Sequence, residues 1–253
     1  MRFYLSVWAV VLGASLLAVS QTADELVDLN IKAKGGIDKI KAINSVRMQG
    51  KFSSNGINAA ISQENMRPAQ VRETFAIQGM TVVQAYDGST AWQINPFQGR
   101  KDPQLMGDDD TRDLLIDSDI DGPLVDYKAK GNTVEYLGHD TVEGDDALRL
   151  KVTLKNGDMI FYYLDPDTYL EIRKETQEFI RGAVRENVIE PGSYKPVAGV
   201  MFPFSIASGP KNDRNSWQNV TMETIEVNVP LENSHFAVPA ALKQGSPGKE
   251  PKE

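Results

Sequence analysis

From Ser45 onward the apolar residues of this chain fall at every second position. Val46, Met48, Gly50 and Phe52 alternate with Arg47, Gln49 and Lys51. A period of two sends successive side chains to opposite faces of a strand, so this segment predicts a half-buried β-strand. Similar stretches follow at 71–77, after a break at Pro68, at 82–86, and at 91–95 beyond a turn at Asp87-Gly88. The second half is almost entirely of this kind. Segment 133–137 stops at Gly138, 147–154 at Asn156-Gly157, and 159–164 at Asp165-Pro166-Asp167. Segments 170–179, 183–189, 201–207 and 217–229 complete the series. Strands joined by tight turns pair antiparallel, whereas parallel strands need long crossovers. About ten strands therefore predict a mainly β, α+β fold, a curved antiparallel sheet or half-open β-barrel with helices on one side.

The helical signals are few. Thr22 and Glu25 have the spacing of a capping box, Leu26, Val27, Leu29 and Ile31 follow, and Gly35-Gly36 ends the helix. Ile37, Ile40 and Ile43 then recur three apart on a second, short helix. Between Pro96 and Asp121 the strand pattern stops. Residues 108–115, with Leu105, Met106, Leu114, Leu115 and Ile116 as the apolar members of this region, suit a helical insert.

Arg2 precedes an uncharged run over 3–19, and Ala18-Val19-Ser20 places small residues where a signal peptidase needs them. This order predicts a cleavable export segment over 1–20, a domain over 21–243, and a Gly/Ser/Pro/Lys/Glu tail over 244–253. Gly13 and Ser15 interrupt the run, which is short of the roughly 20 apolar residues of a spanning helix. Periplasmic localisation is the expectation. Loss of Arg2 turns a net charge of −8 into −9, which disfavours nucleic acid and peripheral docking on anionic lipid head groups. The sequence has no cysteine, so no disulfide and no acylated N-terminal cysteine is available, and a soluble monomer is expected.

Chemical motifs are sparse. The chain has two histidines, His139 in a turn and His235 near the C-terminus, and neither belongs to a recognisable catalytic motif. Carboxylates are plentiful, but nothing selects one pair for hydrolysis, so no catalytic residue and no cofactor is assigned. Asp117-Ser118-Asp119-Ile120-Asp121-Gly122 matches the first half of a calcium loop, with Asp117, Asp119 and Asp121 as weak candidate ligands. Lys128 stands where the closing glutamate is required. Asp108-Asp109-Asp110 suits a helix dipole, and Asn219-Val220-Thr221 has the glycosylation pattern. What remains is apolar: Phe75, Met80, Tyr86, Trp92, Phe161, Tyr163, Phe179, Phe202, Phe204 and Trp217 fall on predicted strands. Segment 159–164 is apolar on both faces, which requires cover on both. A filled core and an apolar cavity open to a lipid are both compatible with this pattern.

One set of residues carries a family resemblance. Ile31-x-Ala33-x-Gly35-Gly36-x-Asp38-Lys39-Ile40-x-Ala42-Ile43 is followed by Tyr86-Asp87-Gly88-x-x-Ala91-Trp92, Leu137-Gly138 and Val142-Glu143-Gly144. Leu150-x-Val152-Thr153-Leu154-Lys155-x-Gly157, Tyr162-Tyr163-Leu164-Asp165, Tyr169-Leu170 and Gly199-Val200-x-Phe202-Pro203 continue it. Together these resemble periplasmic outer-membrane lipoprotein-sorting proteins related to the carriers LolA and LolB. The resemblance implies a half-open barrel whose apolar inner face takes lipid or lipoprotein acyl chains. Inner- or outer-membrane sorting proteins are then the implied partners. The helices would act as a lid, through Leu26, Leu29, Ile40 and Ile43. The absence of a lipid-bearing cysteine is like the soluble carrier. The carrier's lid-locking arginine has no unique counterpart, and Arg47 and Arg72 are candidates as members of early strands. The same fold serves as a sensor domain in envelope-stress regulators, so a non-enzymatic sensor or interaction module with a filled core is the alternative.

Overall fold

The computed structural model describes residues 21–243, so the predicted export segment and tail lie outside the described residues. Thr22 caps helix α1 (Ala23–Ala33), accepting from the Glu25 N–H while the Glu25 carboxylate accepts from its own, which is the capping box expected. Helix α2 (Ile37–Lys41) follows. The chain then runs as a meander through β1 (Ser45–Ser54), β2 (Ile57–Met66), β3 (Gln70–Ile77), β4 (Met80–Tyr86), β5 (Ala91–Ile94) and a two-residue β6 (Gln104–Leu105). Helix α3 (Asp108–Asp117) starts with three aspartates, a favourable charge for its dipole.

A second meander follows: β7 (Thr133–Val142), β8 (Asp145–Thr153), β9 (Met159–Leu164), β10 (Glu171–Ile180) and β11 (Ala183–Gly192). A small hairpin of β12 (Lys195–Val197) and β13 (Val200–Phe202) leads to β14 (Ser205–Pro210) and β15 (Gln218–Val227). Two short helices, α4 (Asn233–Phe236) and α5 (Ala240–Lys243), end the described chain. Asn55-Gly56, Gln78-Gly79 and Arg181-Gly182 all have positive φ, the pattern of two-residue hairpins whose twist matches the strands. Gly138 does not end its strand. The register shifts between Tyr136 and Gly138, and β7 continues past this bulge to Val142.

One antiparallel sheet of thirteen strands holds both meanders, in the order β6-β5-β4-β3-β2-β1-β15-β14-β11-β10-β9-β8-β7. Its centre is the β1–β15 pair, and its edges are β6 and β7. The sheet stays open, as the expected curved sheet or half-open barrel requires: the edge strands do not pair, and the chain passes from one to the other through α3 and the loop 118–132. The sheet is therefore open and curved, with α1, α2 and α3 on its inner face.

Helix α1 sets Leu26 and Val27 on Leu148, Leu150, Val152, Ile160, Tyr162 and Leu164. Helix α2 sets Ile40 and Ile43 on Val46, Val200, Met222 and Ile225. Gly35, between these helices, lies where a Cβ would stand 2.2 Å from the Gly199 carbonyl oxygen, and the Met201 N–H donates to the Lys34 carbonyl at 2.9 Å. Two glycine-bearing motifs far apart in sequence thus meet at one contact. Strand β9 is buried on both sides: Phe161 and Tyr163 pack on the outer face with Val142 and Ala147, beneath the Arg149 guanidinium. Helices were expected on one side only, but the C-terminal segment crosses the outer face, where Val238 and Leu242 pack on Val83, Ala85 and Trp92.

Candidate functional site

The inner face of the central strands is apolar and only partly covered, Met48, Ile61, Ile206 and Val220 packing on the α2 core. Phe52 of β1 stands opposite Val220 of β15, which stands opposite Ile206 of β14, while Ile61 of β2 stands opposite Phe75 of β3. With Met48 these side chains are half-buried, so each keeps part of its apolar surface accessible. The Phe52 and Phe75 rings meet edge to face at 6.4 Å. One row along, the same face turns polar, with Gln63 on β2, Glu73 on β3 and Gln84 on β4 in register.

Helix α3 lies on the same inner face, between β3–β5 and β10–β14, and is held by ion pairs to the second meander. Arg112 reaches Asp158 at 2.8 Å, Arg185 reaches Asp113 at 2.9 Å, and Arg181 reaches Asp110 at 3.3 Å. Leu114 anchors the other side against Val71 and Ala91, and Asn65 donates to the Asp117 carbonyl. Between α3 and strands β10, β11 and β14 lies a hollow of about 420 Å³ lined by Asp113, Ile116, Asp117, Thr176, Asn187, Ile189 and Ser208. A second, of about 390 Å³, opens at the start of α3 between Gln84, Gln93, Asn95 and Gln98 on one side and Ile180, Arg181 and Arg185 on the other.

Enclosure beneath α3 pushes the Glu73 carboxyl up to about 8, and the carboxylates of Asp117 and Asp113 add to the shift. Enclosure likewise brings Asp117 up to about 6; Lys174 opposes this and Asp113 adds to it. Glu73 is half-buried and Asp117 exposed, so the upward shift is the firmer at Glu73. A carboxyl held toward its protonated form can donate to a polar head group.

Behind the hollow, Arg67 ties three elements together. Its Nε donates to the Ile43 carbonyl at 2.6 Å, one terminal nitrogen donates to the Ile40 carbonyl at 3.2 Å, and both terminal nitrogens grip Asp121. Lys41 reaches Asp121 and Asp126 at 2.6 Å each. Burial of Asp121 acts to raise its carboxyl, but the hydrogen bonds from Arg67 and Lys41 bring it down to about 2. The loop after α3 is thereby fastened to α2 and to the β2–β3 turn.

The candidate residues read from sequence do not form one group. Phe75, Met80 and Tyr86 stand on the inner face, Tyr86 against the Val71–Leu114 contact. Phe202 and Phe204 pack around the α2 core. Trp92, Phe161, Tyr163 and Phe179 stand on the outer face, and Trp217 covers Gly209 with Arg214 over its ring. Of the lid residues, Leu26, Ile40 and Ile43 are buried and Leu29 partly so, which makes these faces of α1 and α2 core, while Val27, Ile31 and Ile37 border a hollow of about 680 Å³ with Leu124 and Tyr127.

The calcium candidates diverge: Asp117 faces the hollow, Asp119 pairs with Lys130, and Asp121 with Arg67 and Lys41. No group of three or more metal-ligating side chains occurs among the described residues. Arg47 and Arg72 serve the outer face, at Glu64 and over Trp92. His235 contacts Glu64 there, and His139 pairs with Asp146 in the open. Asn219 lies within β15, paired on both sides. Glu73, Asp113 and Arg67 escaped the sequence reading, although Glu73 carries a signal, being charged at an inward position of its strand.

No family model and no curated relative matches the sequence. Solved structures do. A LolA superfamily protein from Nitrosomonas europaea superposes with a TM-score of 0.59 at 8% identity, over 87% of this chain and 99% of its own. An outer membrane lipoprotein-sorting protein domain from Vibrio parahaemolyticus gives 0.56 at 11%, over 85% and 97%. A DUF1329 family protein from Desulfovibrio piger gives 0.57 at 11%, over 86% and 98%. Identities this low establish architecture alone: the open antiparallel sheet with its inner helices is the LolA-like fold.

Proposed function

We propose that the chain is a periplasmic carrier that holds lipid or lipoprotein acyl chains against the inner face of its sheet. The observation that supports this most is the strip of half-buried apolar side chains, Met48, Phe52, Ile61, Phe75, Ile206 and Val220, which keeps apolar surface accessible although four of them also pack on the α2 core. Accessible apolar surface is what an acyl tail gains most from covering, at about 25 cal/mol per Å² removed from water. The adjacent polar row, with Glu73, gives a ligand head a different environment from its tail. Of the sequence candidates, Phe75, Met80 and Tyr86 belong to this surface. We read the protein as non-enzymatic, with the export segment fixing its compartment and sorting proteins of the two membranes as donors and acceptors.

Native mass spectrometry of the chain purified from the cell envelope tests the proposal. A co-bound lipid, or uptake of a fluorescent fatty acid that Phe75→Asp abolishes, is the expected result. A clean unliganded mass with no uptake would refute it. A stoichiometric protein partner with no lipid would favour an interaction module instead.

A further inference from the structure

The chain's exposed aromatic residues are not scattered. Alternating strand directions across the sheet put the β1–β2, β3–β4, β8–β9 and β10–β11 turns, and the loop 95–103 after β5, on one rim. On this rim Phe97 is 50% exposed, and Phe179 and Val184, partners across the β10–β11 hairpin, are each 63% exposed. The two groups stand on opposite lips of one opening. Asn95 and Gln98 flank Phe97, Ile180 and Arg181 follow Phe179, and these four residues line the same 390 Å³ space at the start of α3.

The rim carries both signs. Asp109, Asp110 and Asp113 line the same opening but are paired with Arg112, Arg181 and Arg185. Arg100 and Lys101 follow Phe97 in its loop, with Asp102 beside them, and Lys155 stands in the β8–β9 turn. Arg100 meets the Gln104 amide, and neither lysine reaches a carboxylate among the described residues. A chain of net charge −8 thus presents unpaired cations beside its exposed aromatic tips. The β10–β11 tip is a two-residue turn with both φ values positive, so Phe179 and Val184 are held on a stiff hairpin rather than a loose loop.

We propose that this rim docks on an anionic lipid bilayer, with Phe97, Phe179 and Val184 entering the head-group layer and Arg100, Lys101 and Lys155 meeting lipid phosphates. Aromatic and aliphatic tips beside basic residues match the two attractions of an interfacial site, apolar burial and surface potential. The overall negative charge works against such docking, so contact is limited to this edge and its unpaired cations. Docked in this way, the opening at the start of α3 faces the lipid. The inference rests on the outside of the rim and stands whether or not the hollow holds a tail.

The test is vesicle flotation of the exported chain. Binding is expected to phosphatidylglycerol–phosphatidylcholine vesicles, weakening as salt rises, with little to phosphatidylcholine alone. Phe97→Ser and Phe179→Ser should each lower the partition coefficient about tenfold, whereas Leu137→Ser, on exposed mid-strand β7, leaves it unchanged. Because the chain has no cysteine, Phe97→Cys and Leu137→Cys each carry a single environment-sensitive dye. A blue shift on vesicles at position 97 and none at 137 is expected. Absence of vesicle binding, binding indifferent to lipid charge, wild-type binding by both Phe variants, or equal dye shifts would each overturn the proposal.

Discussion

Removing Arg67 is the most searching perturbation of this fold. Arg67→Met keeps much of the side-chain volume but leaves Asp121, about 5% exposed, with Lys41 as its remaining cation. It also strips the Ile40 and Ile43 carbonyls of a shared donor. Breaking a buried ion pair by deleting one partner costs about 3–5 kcal/mol. Lys41 stays in place and the Arg67 side chain is itself a quarter exposed, so the lower figure, about 3 kcal/mol, is expected. For a chain of this size that lowers Tm by about 6–12 °C.

The same lock can be read by pH. The folded carboxyl of Asp121 lies at about 2, below its ordinary 3.8, so the unfolded chain takes up the proton first as pH falls. Its contribution, about 2 kcal/mol, is whole above about pH 5 and drains between about pH 4 and 2. Asp121→Asn should therefore lose less stability than wild type across that window. Urea denaturation followed by circular dichroism measures both effects. An Arg67→Met variant within about 1 kcal/mol of wild type, or parallel acid loss in Asp121→Asn and wild type, would sink the assignment.

Other expectations follow from single contacts. Glu73, whose carboxyl is raised to about 8, supports the fold fully below its ordinary 4.5 and loses that support as pH rises through 8. Glu73→Gln should then stabilise the protein at pH 9 relative to wild type and change little at pH 5; thermal melts at the two pH values decide it. Gly35→Ala puts a Cβ 2.2 Å from the Gly199 oxygen at φ +121°, and should cost more than about 2 kcal/mol. Gly36→Ala, at φ +91° and ψ 155° with open space around it, should cost about 1–3 kcal/mol from backbone strain alone, so a Gly35→Ala variant that melts above Gly36→Ala would contradict the contact. Leu150→Ala, fully buried under α1, should cost about 2–5 kcal/mol in the same assay. Phe179→Ala, exposed on the outer face, should leave fatty-acid uptake in solution unchanged, in contrast to Phe75→Asp.

Local signals in the sequence were the legible ones. The Thr22–Glu25 box, the stop at Gly35-Gly36 and the turn in which Asp165 accepts from the N–H groups of Asp167 and Thr168 each depend on residues a few positions apart. Strands β6, β12 and β13 have two or three residues each, too few to show a period. Gly138 looked like a stop because a bulge needs the same residue as a turn. Arg67 was beyond reach for another reason. Its partners stand at positions 40, 43 and 121, and the candidates Arg47 and Arg72 lay on strands whose outward positions nothing local distinguishes from inward ones.

The faces of the strands show why the site was harder to read than the fold. Alternation divides a strand into two sets of residues but does not say which set faces inward, and aromatic residues suit either face once both are covered. The C-terminal segment covers the outer face of β4 and β5, and Arg149 covers that of β9, so Trp92, Phe161 and Tyr163 are ordinary core there. Inside, the informative residues are those that break the apolar set. Val71, Glu73, Phe75 and Ile77 share one face of β3, and Gln63 and Asn65 share that face of β2. A carboxyl group between Val71 and Phe75, charged or neutral, is costly in a filled core unless its hydrogen bonds are met. Its presence argues that this part of the sheet was never meant to be filled. By the same logic, sealing the hollow with a large apolar residue at Ser208 should raise stability while abolishing lipid uptake; a variant that gains stability and still takes up lipid would show that the tail lies elsewhere.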